Sequence, residues 1–190
     1  MGRRVYLDHN ASTPVHPDVV AAMLPYFSET FGNPSSVHAF GREAREGLDT
    51  ARERIAGFLR VKPDEIVFTS GGTESDNFGI KGLAGARGLA GARGHGHIIT
   101  SRIEHHAVLR TCETLETQGF SVTYVPVDST GMVDPDEVRR NLRPDTFAIS
   151  IMHANSEVDN ACGSTTSGRR WPRGCRTSSC SRPTCSARRR

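Results

Sequence analysis

The chain has 190 residues, 36% of them hydrophobic and 24% charged, with a formal net charge of +3. That lies within the soluble globular range, with length enough for one domain with a real core, and no apolar run is long enough to span a bilayer. The charge is lopsided: residues 1–158 carry 16 Lys+Arg against 20 Asp+Glu, a net −4, while residues 159–190 carry 8 Arg against 1 Asp, a net +7. The basic character therefore belongs to the tail, and the body offers no nucleic-acid surface.

In chain order, the start Met-Gly-Arg-Arg-Val-Tyr-Leu-Asp has no apolar stretch after its arginines, so no secretory signal is expected. Pro17 suits the first turn of a helix, and Val19, Val20, Met23 and Leu24 predict a helical stripe ending near Phe27. Phe31–Ser36 is a loop by composition. Ser36 is expected to cap a helix running to about Arg60, with Ala44, Leu48, Ala51, Ile55 and Phe58-Leu59 along one side. A turn at Lys62-Pro63-Asp64 leads into a first predicted strand, Glu65–Thr69.

A glycine turn, Ser70-Gly71-Gly72-Thr73, follows that strand and opens a helix expected to reach about Gly82. The hexapeptide Gly-Leu-Ala-Gly-Ala-Arg then occurs twice, at 82–87 and 88–93, and is expected to form a flexible surface loop. His97–Thr100 is a second strand. Ala107 opens a helix to about Gln118, ended by Gly119. Val122–Val127 is a third strand, Pro135 to about Leu142 a short helix capped by Asp134, and Phe147–Met152 a fourth strand, apolar on both faces. Alternating strands and helices of this kind predict an α/β fold with a mainly parallel sheet covered by helices. Beyond Val158 periodicity stops. Residues 159–190 are mostly Arg, Ser, Thr, Cys, Gly and Pro, and are expected to be disordered.

Ser70–Asn77 is the most informative stretch. A strand, a glycine turn and a helix start collect backbone N–H groups around an anion. Gly71 and Gly72 allow close approach of a ligand, and Thr73 adds a hydroxyl. An ordinary βα turn with a capping hydroxyl is the alternative. The spacing is neither a dinucleotide-binding turn nor a Walker loop. Other candidates are weaker. His105-His106 and His95-x-His97 lack the further ligands of a metal set, so no metal site is expected. The tail cysteines lack Cys-x-x-Cys spacing, and Cys112 on a helix is expected to be a buried small hydrophobe.

Five stretches in this order resemble the cysteine desulfurases of the NifS/IscS type, class V, fold-type I pyridoxal-phosphate enzymes. They are Tyr6-Leu7-Asp8 with Ala11-Ser12-Thr13-Pro14, Phe31–Ser36, Glu65–Asn77, His97–Ser101 with Glu104-His105-His106-Ala107-Val108, and Ser150–Val158. The resemblance covers about Val5 to Val158. It implies a three-layer, partial fold-type I large domain over 1–158, followed by the tail. It also implies a role for each matching residue: Gly72 and Thr73 hold the phosphate of pyridoxal 5'-phosphate, and His105 stacks on the ring and shuttles protons. Asn155 and Ser156 bind the cofactor, with Ser156 where the family carries the Asn that contacts the ring hydroxyl, so that this contact is weakened or water-mediated. Asn33 and His38 lie in the family's entrance segment.

The family reaction converts L-cysteine to L-alanine and passes sulfur, as an enzyme-bound persulfide, to iron–sulfur cluster or thio-cofactor assembly. The resemblance further implies a cytoplasmic homodimer that hands sulfur to a scaffold protein, with no nucleic-acid or membrane partner. The family's Ser-Gly-His-Lys segment and its loop cysteine find no match here. The lysines are Lys62 and Lys81, neither at the family position. The expectation is therefore a truncated, frameshifted chain that holds its cofactor non-covalently at best and is catalytically incompetent. A sister class V aminotransferase or selenocysteine lyase is the nearest alternative, and a non-catalytic binding or dimerising fragment is the one from another class.

Overall fold

The computed structural model describes residues 4–9, 11–89, 96–155 and 157, with backbone only at 87–89. The chain divides into two compact units, Met1–Phe68 and Thr69–Arg190.

The first unit is helical. Helix α1 spans Pro17–Met23 and α2 spans Pro25–Ser28, each with proline in its first turn, where no intrahelical N–H is lost. Val19, Val20, Met23 and Leu24 are all exposed. Helix α3, Ala39–Leu59, is the long element. It is not capped by Ser36, whose N–H closes a turn onto Asn33 O at 2.9 Å; the cap is His38, whose Nδ1 accepts from the Gly41 N–H. The reason is steric. A Cβ on Gly32 would lie 2.2 Å from Phe40 O, and one on Gly41 2.2 Å from Ser36 O, so the loop is pressed onto the first turn and the cap moves two residues on. The helix ends at Arg60, in the left-handed conformation. Of the expected stripe only Ala44 is buried, joined by Ala56 and Gly41, while Phe58 is 83% exposed.

The expected strand at Glu65–Thr69 does not form. Pro63–Glu65 is a single 3-10 turn, Ile66 after it is extended, and residues 66–69 join no ladder. Its apolar run records side chains that favour burial, but a strand also needs a neighbour for its N–H and C=O groups. None is present among the described residues, and Val67 and Phe68 are exposed.

The second unit is an α/β sandwich. Helix α4 is Gly72–Leu89, β1 is His97–Ser101, α5 is His106–Thr117, β2 is Ser121–Val125, α6 is Pro135–Arg140 and β3 is Thr146–Ser150. The strands are all parallel, in the order β2-β1-β3. Central β1 is buried at every residue, with Ile98 and Ile99 on opposite faces. Ile98 meets Ile80 and Ala84 of α4 and Val108, Cys112 and Leu115 of α5. Ile99 meets Val125, Val133 and Val138 on the α6 side. Three layers result, as expected from strands with two apolar faces.

β3 is only half buried throughout, because it is paired on one side alone. A register shift puts Phe147 in excess on β3, and its ring meets Phe120 edge-on at 5.8 Å. Helix α5 stops before Gly119, at φ 92°, and Asp134 caps α6 by accepting from the Asp136 N–H, both as expected. The hexapeptide repeat does not form the expected loop over its first copy. Its first copy is helical, part of α4, and Ala84 within it is 3% exposed in the core. Most of the second copy, and the tail from 158, lie outside the described residues. No helix among the described residues is long and apolar enough to cross a membrane.

Candidate functional site

Three of the candidate residues belong to the first turns of helices whose starts lie at one level. Gly72 and Thr73 open α4, and His105 caps α5. Asn77 is the sixth residue of α4 and Thr111 the sixth of α5, and the Thr111 hydroxyl donates to Asn77 Oδ1 at 2.8 Å. The same hydroxyl lies 2.8 Å from Ala107 O, while Asn77 Nδ2 donates to Thr73 O at 2.9 Å. A short chain of polar contacts thus runs from the glycine turn to the first turn of α5. Both helices point their N-terminal N–H groups the same way, at the edge where β1 and β3 end, the edge at which parallel α/β sheets present ligands.

The glycine turn already holds an anionic oxygen. Glu74 Oε2 accepts from the Ser70 N–H at 2.6 Å and from the Ser70 hydroxyl at 2.7 Å. These two bonds, the hydroxyl's first, draw the Glu74 carboxyl below its usual range. Thr69 Oγ1 and Ser75 Oγ lie 2.6 Å apart beside it. The donors of Ser70 are thus engaged within the turn, while Gly72 and Thr73 are exposed and a Cβ built on Gly71 or Gly72 meets nothing within 4 Å, so the turn is open on that side.

His105 is exposed, and its Nδ1 accepts from the Ala107 N–H at 3.1 Å, closing the first turn of α5. That contact leaves Nε2 as the protonated nitrogen of the neutral ring. The His106 ring is 6.3 Å away and tilted by 60°. Asn155 lies past the end of β3. Its Nδ2 donates to Ile103 O at 2.8 Å, and its Oδ1 accepts from the Glu157 N–H at 2.7 Å. Ser156 is outside the described residues. Asn33 and His38 belong to the first unit, where Asn33 Oδ1 accepts from the Ser35 N–H and His38 caps α3.

Sequence reasoning assigned no role to Asn77, Thr111 or Glu104. Glu104 is 7% exposed and precedes His105 directly. Burial raises its carboxyl above the usual range, against the pull of bonds from the Met152 N–H and the Ser101 hydroxyl, with Asp76 adding to the rise. A carboxylate directly before a candidate histidine was the available signal. Cys112 is fully buried, and its thiol is pushed up to about 11, by burial first.

The aminotransferase class-V family profile matches residues 5–162. The chain belongs to that family. Its enzymes depend on pyridoxal phosphate. Over 158 residues the chain is 56% identical to the cysteine desulfurase IscS of Dictyoglomus turgidum, covering 83% of this chain and 39% of that protein. It is 55% identical over 156 residues to the cysteine desulfurase IscS of Methanosarcina thermophila, covering 82% and 38%. A solved NifS-like protein superposes with a TM-score of 0.78 at 43% identity, over 85% of this chain and 43% of that one. A solved SspA in complex with cysteine superposes with a TM-score of 0.76 at 44% identity, over 83% and 44%. The chain therefore spans about two fifths of the length of the curated relatives it matches.

Proposed function

We propose that this chain supplies the phosphate-holding and ring-facing side of a cysteine desulfurase cofactor site. The N–H groups of Gly72 and Thr73 and the Thr73 hydroxyl hold the phosphate of pyridoxal 5'-phosphate. His105 lies against the ring and carries protons, roles open to a flat imidazole that has both a donor and an acceptor nitrogen. Asn155 and Ser156 bind the cofactor at its ring, Ser156 making a weakened or water-mediated contact to the ring hydroxyl. The observation that carries this reading is the Asn77–Thr111 bond, which sets the starts of α4 and α5 side by side at the sheet's carboxyl edge. When bound, the cofactor supplies the electron sink, and the protein supplies position and charge.

The activity follows from relatives named as cysteine desulfurases: L-cysteine to L-alanine, with sulfur carried as a persulfide toward iron–sulfur cluster or thio-cofactor assembly. With it we propose a cytoplasmic homodimer serving a sulfur-acceptor scaffold, with neither nucleic acid nor membrane as partner. We place the partial transferase domain at 1–158, with 159–190 as a separate tail, although the family profile extends to 162. These 190 residues alone turn over no cysteine. Lys62 sits before the 3-10 turn of the first unit and Lys81 on an exposed position of α4. Cys112 is too deeply buried to carry sulfur.

The test is equilibrium dialysis of the chain against pyridoxal phosphate and against inorganic phosphate. Pyridoxal phosphate is expected to bind about tenfold tighter, near the upper worth of one stacked ring pair. Gly72→Pro should abolish both affinities. Proline is tolerated at the first helical position, so the loss reports the missing N–H rather than a broken helix. His105→Ala should lower pyridoxal phosphate to the level of phosphate, and borohydride should fix cofactor to neither lysine. Equal phosphate binding by wild type and Gly72→Pro would overturn the reading.

A further inference from the structure

Glu104 is the only buried carboxylate among the described residues. No described ion pair includes it. The charge that acts on it is another carboxylate, Asp76, which raises its pKa further, and no described ion pair offsets its burial. Such a group costs stability, and an apolar side chain of similar size would relieve that cost. Its presence therefore calls for a purpose other than stability.

The bonds show what it does. Glu104 Oε1 accepts from the Ser101 hydroxyl at 2.9 Å and from the Met152 N–H at 2.6 Å. Ser101 closes β1, and Met152 lies two residues past β3. One carboxylate oxygen thus joins the ends of two neighbouring strands. The Asn155–Ile103 bond at 2.8 Å runs between the same two segments in the opposite sense. The loop they fix carries His105, and the turn they fix carries Asn155.

We infer that Glu104 is a positioning residue that locks the His105 loop to the Asn155 turn, so that both ring-facing groups are presented together. This rests on the reading of His105 and Asn155 as ring contacts. The glycine turn is tied to α5 separately, through Asn77 and Thr111. The lock therefore governs the ring half of the site and leaves the phosphate half alone. It depends on an acceptor at Oε1 rather than on charge, so Glu104→Gln preserves it and Glu104→Ala removes it.

The experiment compares wild type, Glu104→Gln, Glu104→Ala and Asn155→Ala, each as the full chain. Two readouts are taken: amide exchange at Met152 and across Arg102–Ala107, and dialysis affinities for pyridoxal phosphate and inorganic phosphate. Glu104→Ala should lose protection at Met152 and through the His105 loop, and weaken pyridoxal phosphate about tenfold while phosphate stays within about twofold. Glu104→Gln should match wild type in all respects. Asn155→Ala should loosen the same loop through Ile103.

Unchanged Met152 protection in Glu104→Ala overturns the proposal, as does an equal loss of both ligands with β1 still protected. Should Glu104→Ala lose protection at Ile98 and Ile99 as well, the fold has gone. Glu104→Gln and Asn155→Ala then decide: an exposed Met152 amide in the first, or an unchanged loop in the second, refutes the lock. Should wild type bind pyridoxal phosphate no better than phosphate, the functional reading fails, while the exchange data still judge the lock.

Discussion

His97 is the strongest test of how the sheet is held. It opens β1, is fully buried, and uses both ring nitrogens: Nδ1 lies 2.8 Å from Thr146 Oγ1 of β3 and Nε2 lies 2.8 Å from Thr123 Oγ1 of β2. One imidazole thus spans all three strands. Thr146 Oγ1 also accepts from the Arg143 N–H, so it keeps a partner if the ring is removed. His97→Phe fills the space but loses two hydrogen bonds, a cost of about 2 kcal/mol at roughly 1 kcal/mol each. His97→Ala adds a cavity in the sheet and should cost about 4 kcal/mol in total. That is a large share of the stability of a typical domain, about 5–15 kcal/mol.

Burial, and then the charge of Arg143, lower the His97 pKa, while Asp145 opposes them. The folded state therefore binds this proton more weakly than the unfolded state. Stability is fully present above the ordinary value of 6.5 and falls as pH drops toward the lowered one, at no more than about 1.4 kcal/mol per pH unit. Urea unfolding followed by circular dichroism, at pH steps between 7.5 and 5, measures both effects. The difference between wild type and His97→Phe removes the contribution of the other titrating groups. A neutral His97→Phe, or a difference independent of pH across that range, would show that the ring is not the tie described here.

Two further outcomes follow from the core and from the first unit. Cys112, fully buried with a thiol raised to about 11, should resist iodoacetamide at pH 8 in the folded chain and react only on unfolding, as read by peptide-resolved mass spectrometry. Gly41→Ala, whose Cβ would lie 2.2 Å from Ser36 O, should detach the 31–36 loop from α3, seen as loss of amide protection at Ser36 and Gly41. A protected Gly41 amide in that variant would place the close approach in error.

Much of the second unit was legible because its elements are encoded locally. Pro135 with Asp134, Gly119 after α5, and the doubly apolar strands each carry their reason within a few residues. The failures share a cause. The strand expected at Glu65–Thr69 has the right side chains, but pairing is a property of a neighbour, which a local pattern does not contain. The repeat at 82–93 reads as a surface loop, and its glycines are poor helix formers. Yet Ile80 and Ala84 bury against α5 and β1, and that packing carries α4 past the four glycines that follow its first residue, Gly72. The candidate site divides in the same way. Gly72, Thr73 and His105 are visible in a motif, whereas Asn77–Thr111 and Glu104–Met152 join residues 34 and 48 positions apart. Glu104 could be seen beside His105, but its partner could not.

The two edges of the sheet are built on different terms. At the amino edge the tie is His97, a neutral ring among hydroxyls, whose burial asks only that it stay uncharged. At the carboxyl edge the ties include Glu104, a group that burial disfavours in its charged form. A sheet shaped only for stability would place an apolar or neutral residue there. The expensive tie stands at the edge where His105, Asn155 and the start of α4 gather, and the inexpensive one stands at the edge that carries no candidate group. Stability surrendered locally, beside residues that must be held in one arrangement, is the pattern expected where a fold is serving a ligand rather than itself.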